Sequence, residues 1–434
     1  MDQAADNPAL LPERLIVSAI VGTWLLWLVG GLYIVGPALG WILALILFWQ
    51  AYASPAGQRP SLPFSAIFWG LAMLAMLMIL WAGHAANGLS IGQTIKSSIG
   101  WAKGWALMAL FVIAGAGLNI QPKTVYLAVC RLGRITLFLL PLFLLAPSLG
   151  LPQTLYVSPL KILGGAGDEY FSVVLYTLDT LTGVPRWQFF APWSPAAGMI
   201  AVVHFLCALE EKDWRWKLTG MASSMAIILL SQSRLAMIGM LLIWPVSWSI
   251  IHFRRPVVWV SGAMMTMIAG WMGPLLINFA QQMQSRFAGV RADSSRVRET
   301  LGRIAIERWE NEGYWVGHGI VENGPHLVEY MPIGSHHSWY GLLFVKGLAG
   351  LLALLLPLLL SAIAIIIHGN PATRQIGLSM LLVLVMYGFG ENLEVLAYLY
   401  WPALLLIGMA LRTMPRATAP DLPDTFLQID SAIR

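Results

Sequence analysis

Six arginines and a histidine pair fall in one hydrophilic stretch, residues 279–338, of a chain that is otherwise strongly apolar. Arg286, Arg291, Arg296, Arg298, Arg303 and Arg308 are followed by His336-His337 at its end. A membrane protein keeps few charges, because each is costly near hydrocarbon. Arginine's planar fork donates two parallel hydrogen bonds to phosphate oxygens and stays charged at any relevant pH. Histidine titrates near neutrality and can take a proton from an attacking hydroxyl. These residue types point to an anionic, phosphate-bearing substrate and a proton transfer.

Not every charge in the stretch is free for that work. Glu299, Glu307, Glu310 and Glu312 lie among the arginines, so several pair on a solvated face. Arg296, Arg298 and Arg303 are the candidates for substrate contact. Arg234, after Ser231-Gln232-Ser233, is a further candidate anion ligand, though an interfacial arginine snorkelling from a helix end would look the same. His337 is the candidate base, with His336 beside it. Glu391 and Glu394, in the turn Gly390-Glu391-Asn392-Leu393-Glu394, could pair with the arginines or act as a base. No His, Asp, Glu or Cys group has metal-ligand spacing, so neither metal nor cofactor is expected, and no nucleic-acid partner. Cys130 and Cys207 read as small buried apolar residues.

These groups are held by a chain of 434 residues, 58% hydrophobic and only 11% charged. Soluble domains carry about a quarter charged residues, so this is an integral membrane protein. Runs of roughly 20 apolar residues cross the hydrocarbon. They lie near 15–31, 34–52, 64–83, 101–119, 125–149, 194–209, 217–232, 235–253, 256–278, 339–367, 375–390 and 394–411. The expectation is an all-α polytopic membrane protein, residues 1–434 forming a single helical domain of about twelve spans. The N-terminal residues have no basic region and no small-residue cleavage site, so the first run reads as a retained span. Lysine and arginine alternate between short connections in a way that puts both termini in the cytoplasm. Two longer segments then lie outside, 151–193 and 279–338, the latter between the ninth and tenth spans. Within it, Val297, Leu301, Ile304 and Ala305 have helical spacing, predicting an amphipathic helix over 293–310 capped by Asp293 or Ser294. Gly347 and Gly350 are expected to let the tenth span pack closely on a neighbour.

The order of these pieces resembles the O-antigen ligase and O-antigen polymerase superfamily of bacterial envelope glycosyltransferases. The matching residues are Ser233-Arg234, Asp293-Ser294-Ser295-Arg296-Val297-Arg298, Gly317-His318-Gly319, His337-Ser338 and Gly347-x-x-Gly350. Within that family the ligases of lipopolysaccharide are the most similar. The resemblance implies transfer of O-antigen from undecaprenyl diphosphate to a sugar hydroxyl of lipid A–core, on the periplasmic face of the inner membrane. It further implies inversion at the anomeric carbon without metal or nucleotide sugar, His337 as base, and Arg234 with Arg298 or Arg296 on the diphosphate. Lipid-linked O-antigen, lipid A–core and membrane lipids are the implied partners.

An O-antigen polymerase or protein O-glycosyltransferase would use the same donor and differ in acceptor. A lipid-linked glycan transporter is the reading from another class. Against it, the charges gather on one face, and no internal repeat is visible.

Overall fold

The structure, a computed structural model, describes residues 11–55, 59–164, 167–179, 183–334 and 337–412, without the side chains of 274–277 and 279–295. It is a helical bundle with, among the described residues, eight helices long and apolar enough to cross a membrane. Helices α1 (Leu11–Val21), α2 (Thr23–Leu28), α3 (Leu32–Ala53) and α4 (Phe64–Ala86) come first. Next are α5 (Ile91–Lys103) and α6 (Trp105–Gly117), one apolar stretch divided at Gly104, then α7 (Pro122–Leu145). Ser90 and Gln93 form a reciprocal cap at the start of α5, each side chain bonding the other's backbone N–H.

The segment 151–193 carries β1 (Thr154–Val157) paired antiparallel with β2 (Ser172–Val174), a short α8 (Lys161–Gly164), and β3 (Thr177–Leu178) paired with β4 (Pro185–Arg186). It folds over one end of the bundle. Ser158 donates to the Val29 carbonyl at 2.7 Å, and Tyr170 packs on Tyr33, Trp193 and Tyr398. Beyond it run α9 (Ser194–Leu209), α10 (Trp214–Leu230), α11 (Arg234–Ile251), α12 (Pro256–Glu312), α13 (Ser338–His368), α14 (Arg374–Tyr387) and α15 (Leu393–Leu411). Helix α15 is the axis of the core, with Leu393 and nearly every residue from Leu396 to Leu411 buried. At the opposite end Arg412 donates to the carbonyls of Gly115, Leu118 and Ile120, closing the last turn of α6.

Four expected spans do not form long apolar helices. The run at 15–31 is split into α1 and α2, and α9 and α14 are apolar but short. Helix α10 opens on Trp214-Arg215-Trp216-Lys217, which shortens its apolar part.

A larger departure concerns 279–338. Its first half is not a loop leading to a separate helix. Helix α12 continues for 57 residues, about 86 Å at 1.5 Å per residue, so positions 293 and 294 lie inside it rather than at the start of a helix. The reason is local: 279–292 contains no proline and is rich in Ala, Gln, Met and Arg, all good helix formers apart from the single Gly289. The predicted apolar face is present. Val297, Leu301 and Ala305 are buried with Ile333, Val328 and Phe344, docking the end of α12 on the start of α13.

Helix α13 is itself broken at Gly347, where φ is 63° and ψ is −167°, a conformation essentially open only to glycine. The segment after α12 fills the break. His318 and Gly319 donate to the carbonyls of Phe344 and Val345, and the Tyr314 and Trp315 carbonyls accept from Leu348 and Ala349, all at 2.9–3.1 Å. Two of the carbonyls and two of the N–H groups orphaned by the break are thereby satisfied. A Cβ on Gly347 would lie 2.3 Å from the Trp315 carbonyl carbon, and one on Gly317 2.5 Å from the Lys346 nitrogen. Gly347 thus serves a joint between two backbones, where the sequence suggested helix–helix packing.

Candidate active site at the loop-bearing end

Where the end of α12 meets α13, the chain leaves a cavity of about 70 Å³ lined by Arg298, Gly302, Gly334, His337, Tyr340 and Phe389, among others. Two of the sequence candidates, Arg298 and His337, come together there. Gly302 makes the fit possible, since a Cβ at that position would lie 2.9 Å from the Tyr340 ring. The Tyr340 ring stacks on His337, with centroids 3.9 Å apart, and Phe389 meets the imidazole edge-on at 5.6 Å.

His337 is the N-cap of α13, and its Nδ1 accepts from the Tyr340 N–H at 3.2 Å. A nitrogen that accepts cannot carry the proton, so in the neutral ring Nε2 holds it. Burial holds the imidazole pKa down at about 4, which favours the neutral form. In the resting chain His337 therefore offers a ligand a hydrogen-bond donor.

Glu391 lies immediately behind this cavity. Its carboxylate is 6% exposed and accepts from the Trp193 indole at 2.7 Å. Burial pushes its pKa up to about 7, while the Trp193 bond and the nearby Arg298 charge pull the other way. Ser338 pins the arrangement: its hydroxyl donates to the Glu391 carbonyl at 2.6 Å and accepts from Leu393 N–H at 2.8 Å. The end of the 151–193 segment, the start of α13 and the turn before α15 are thus tied through Glu391 and Ser338.

The remaining candidates separate. Arg296 and Arg303 are exposed on α12, on a face away from the cavity that Arg298 lines. Arg234 is exposed at the first turn of α11, with Ser233 as its N-cap. That turn is joined to the 151–193 segment, since Arg186 donates to the Ser231 carbonyl and Gln232 to the Pro185 carbonyl. It also reaches the Glu391 turn, where a Cβ on Gly390 would touch Leu235 at 3.2 Å. Glu394 lines a second cavity, distinct from that of His337. His336 lies outside the described residues.

Arg308 has a structural partner set. It donates to Glu312 and Glu322 at 2.6–2.8 Å and sits over the Phe344 ring at 5.2 Å. His318 stacks on the Phe344 ring with centroids 4.2 Å apart, its Nε2 on Glu312 at 2.8 Å and its Nδ1 on the Phe344 carbonyl at 2.9 Å. The Arg308 and His318 bonds hold the Glu312 carboxyl down at about 2.

Trp193 and Tyr340 were not singled out by the sequence, because aromatic residues next to an apolar run are ordinary there. Lys346 was also missed, although a lysine inside the apolar run 339–367 is a visible signal. No protein-family profile matches the chain, and no curated protein sequence matches it significantly.

Proposed function

We propose that the chain is a membrane glycosyltransferase of the O-antigen ligase kind, moving O-antigen from undecaprenyl diphosphate to a sugar hydroxyl of lipid A–core on the periplasmic side of the inner membrane. The observation that carries this reading is the shared cavity of Arg298 and His337 at the end of the bundle where the hydrophilic segments gather. No carboxylate lines that cavity among the described residues, so its electrostatics favour an anion such as a diphosphate. Apolar surfaces between the helices suit a polyprenyl tail.

In the reaction, the acceptor oxygen forms a bond to the anomeric carbon from the face opposite the diphosphate. The bond from that carbon to the phosphate oxygen breaks, and the electron pair leaves with undecaprenyl diphosphate. Arg298 stabilises the charge that develops on the leaving oxygen, and Arg234, Arg296 and Arg303 supply positive potential around it. His337 takes the acceptor's proton. Its Nε2 is protonated at rest, so the ring must first move that proton to Nδ1 and release the Tyr340 N–H, a change that acceptor binding would drive. Glu391 lies behind the cavity and is the alternative proton acceptor, its pKa of about 7 being close to the pH of the reaction.

The test is transfer by purified protein in detergent, with lipid-linked O-antigen and lipid A–core, in the presence of EDTA. A ladder of glycan on lipid A–core is the expected product. Lengthening of the lipid-linked glycan alone would make the chain a polymerase, and absence of any product would reject the proposal. His337→Asn keeps a capping acceptor and cannot take a proton. Loss of transfer in this variant supports the base assignment, whereas survival moves that role to Glu391.

A further inference from the structure

A second cavity, of about 50 Å³, lies deeper along α13 and shares Gly334 with the first. The wall between them is thin: a Cβ on Gly341 would lie 2.2 Å from the Gly334 carbonyl oxygen. Lys346, Glu394, Asn392 and Trp105 line the inner space. Lys346 is 4% exposed, sits on a membrane-spanning helix, and makes no hydrogen bond or ion pair among the described residues. Ionisable groups held inside a membrane bundle are expensive and mark sites of function.

Three more features make this a built site. The Trp105 indole N–H is buried near the Glu394 carboxylate, its nearest acceptor, but meets full hydrogen-bond geometry with no partner among the described residues. Asn392 uses its Oδ1 as the α15 cap, accepting from Glu394 N–H at 3.0 Å, which leaves its amide nitrogen to a ligand. The division between α5 and α6 exists where Glu394 needs room, since a Cβ on Gly104 would lie 2.6 Å from the Glu394 Cγ.

The composition of the two cavities differs in a way that assigns the ligand. The outer one has a cation and, among the described residues, no lining carboxylate, and favours an anion. The inner one has one lysine and one glutamate, and its other polar side chains, Trp105, Asn392 and Ser338, are neutral. One cation and one carboxylate in the same small space do not favour net charge on the ligand. Donors and an acceptor around a small space suit a hydroxyl, accompanied by about one water at ~30 Å³ each.

We infer that the inner cavity reads a hydroxyl-bearing substituent of the sugar joined to the diphosphate, with Lys346, Trp105 and Asn392 donating to it and Glu394 accepting from it. This rests on the glycosyl-transfer reading above. It makes Lys346 and Glu394 specificity residues, set one compartment away from the bond that breaks. A site built to bond a hydroxyl discriminates strongly against a substrate lacking it, because its own buried polar groups are then left unpaired.

Lys346→Met and Glu394→Gln test this, each keeping the length of its side chain. Transfer kinetics are measured with the natural donor and with donors whose first sugar lacks single hydroxyls. For the natural donor, Lys346→Met should raise KM about tenfold or more, with the unfolding midpoint within a few degrees of wild type. For one deoxy donor, wild type and variant should converge. Wild-type kinetics in both variants, or equal losses on every donor together with a lowered unfolding midpoint, would overturn the inference in favour of a structural role. Binding is read separately by titrating the released glycan, free of lipid and phosphate, into wild type and Lys346→Met. Binding that Lys346→Met loses supports the inference even if no transfer is seen, whereas equal binding or none contradicts it. Failure of transfer with intact glycan binding would reject only the reaction.

Discussion

Arg298 and Arg308 stand on the same helix, ten positions apart, and have opposite circumstances. Arg308 is bonded to two carboxylates and covers the Phe344 ring, so its charge is spent within the protein. Arg298 lines a cavity with His337, and the one carboxylate that feels its charge among the described residues is Glu391, behind that cavity. The two arginines would be interchangeable in a composition argument. Partners, not residue type, distinguish a charge that holds the joint between α12 and α13 from one left for a ligand.

The difference between the two arginines has its largest expected effect at Arg298. Arg298→Ala should lower transfer about a hundred- to a thousandfold, the cost of losing a charge-stabilising donor, without moving the unfolding midpoint. Comparable transfer by this variant would remove the basis of the contrast.

Next in size is the joint itself. Gly347→Ala forces a Cβ to 2.3 Å from the Trp315 carbonyl carbon in a glycine-only conformation. The expected loss is about 1–3 kcal/mol for the backbone conformation and more for the collision, read as a large drop in the thermal midpoint in detergent. A midpoint unchanged from wild type would mean that the break is not held as described.

Glu391 gives a pH dependence whose sign is fixed. Its carboxyl holds its proton up to about 7 in the folded chain, above the ordinary carboxylate value. The stability this contributes is complete below about 4.3, the unfolded value, and is lost as pH rises towards 7. Glu391→Gln should flatten that part of the stability profile, and a slope that persists would assign it elsewhere.

The smallest effect is expected at Arg308. Its pairs are partly exposed and screened, so Arg308→Ala should cost about 1 kcal/mol of stability and leave transfer within a few-fold. A loss of transfer as deep as that of Arg298→Ala would make both arginines substrate ligands.

The parts legible in the sequence were those set by local pattern. The spacing of Val297, Leu301, Ile304 and Ala305 identified the docked face of α12, because helical periodicity is a property of the segment alone. Arg296 and Arg303, seven positions apart, share a helix face that Arg298 does not, a separation that helical spacing alone carries. Features made by two distant segments were not legible. Gly347-x-x-Gly350 looks the same whether it packs helices or breaks one, and only the Tyr314–Gly319 backbone that enters the break decides. Gly302 gained its meaning from Tyr340, on another helix. The extent of α12 was misjudged because charged residues read as loop, although 279–292 lacks any proline to end the helix.

The central claim is that the Arg298–His337 cavity holds the lipid-linked diphosphate. The most direct measurement is binding of undecaprenyl diphosphate, without glycan, to purified wild type, Arg298→Ala and Arg308→Ala in detergent. Arg298→Ala should weaken binding tenfold or more, about 1.4 kcal/mol at the least, and Arg308→Ala should keep wild-type affinity. Equal affinity in all three proteins, or a loss confined to Arg308→Ala, would contradict it.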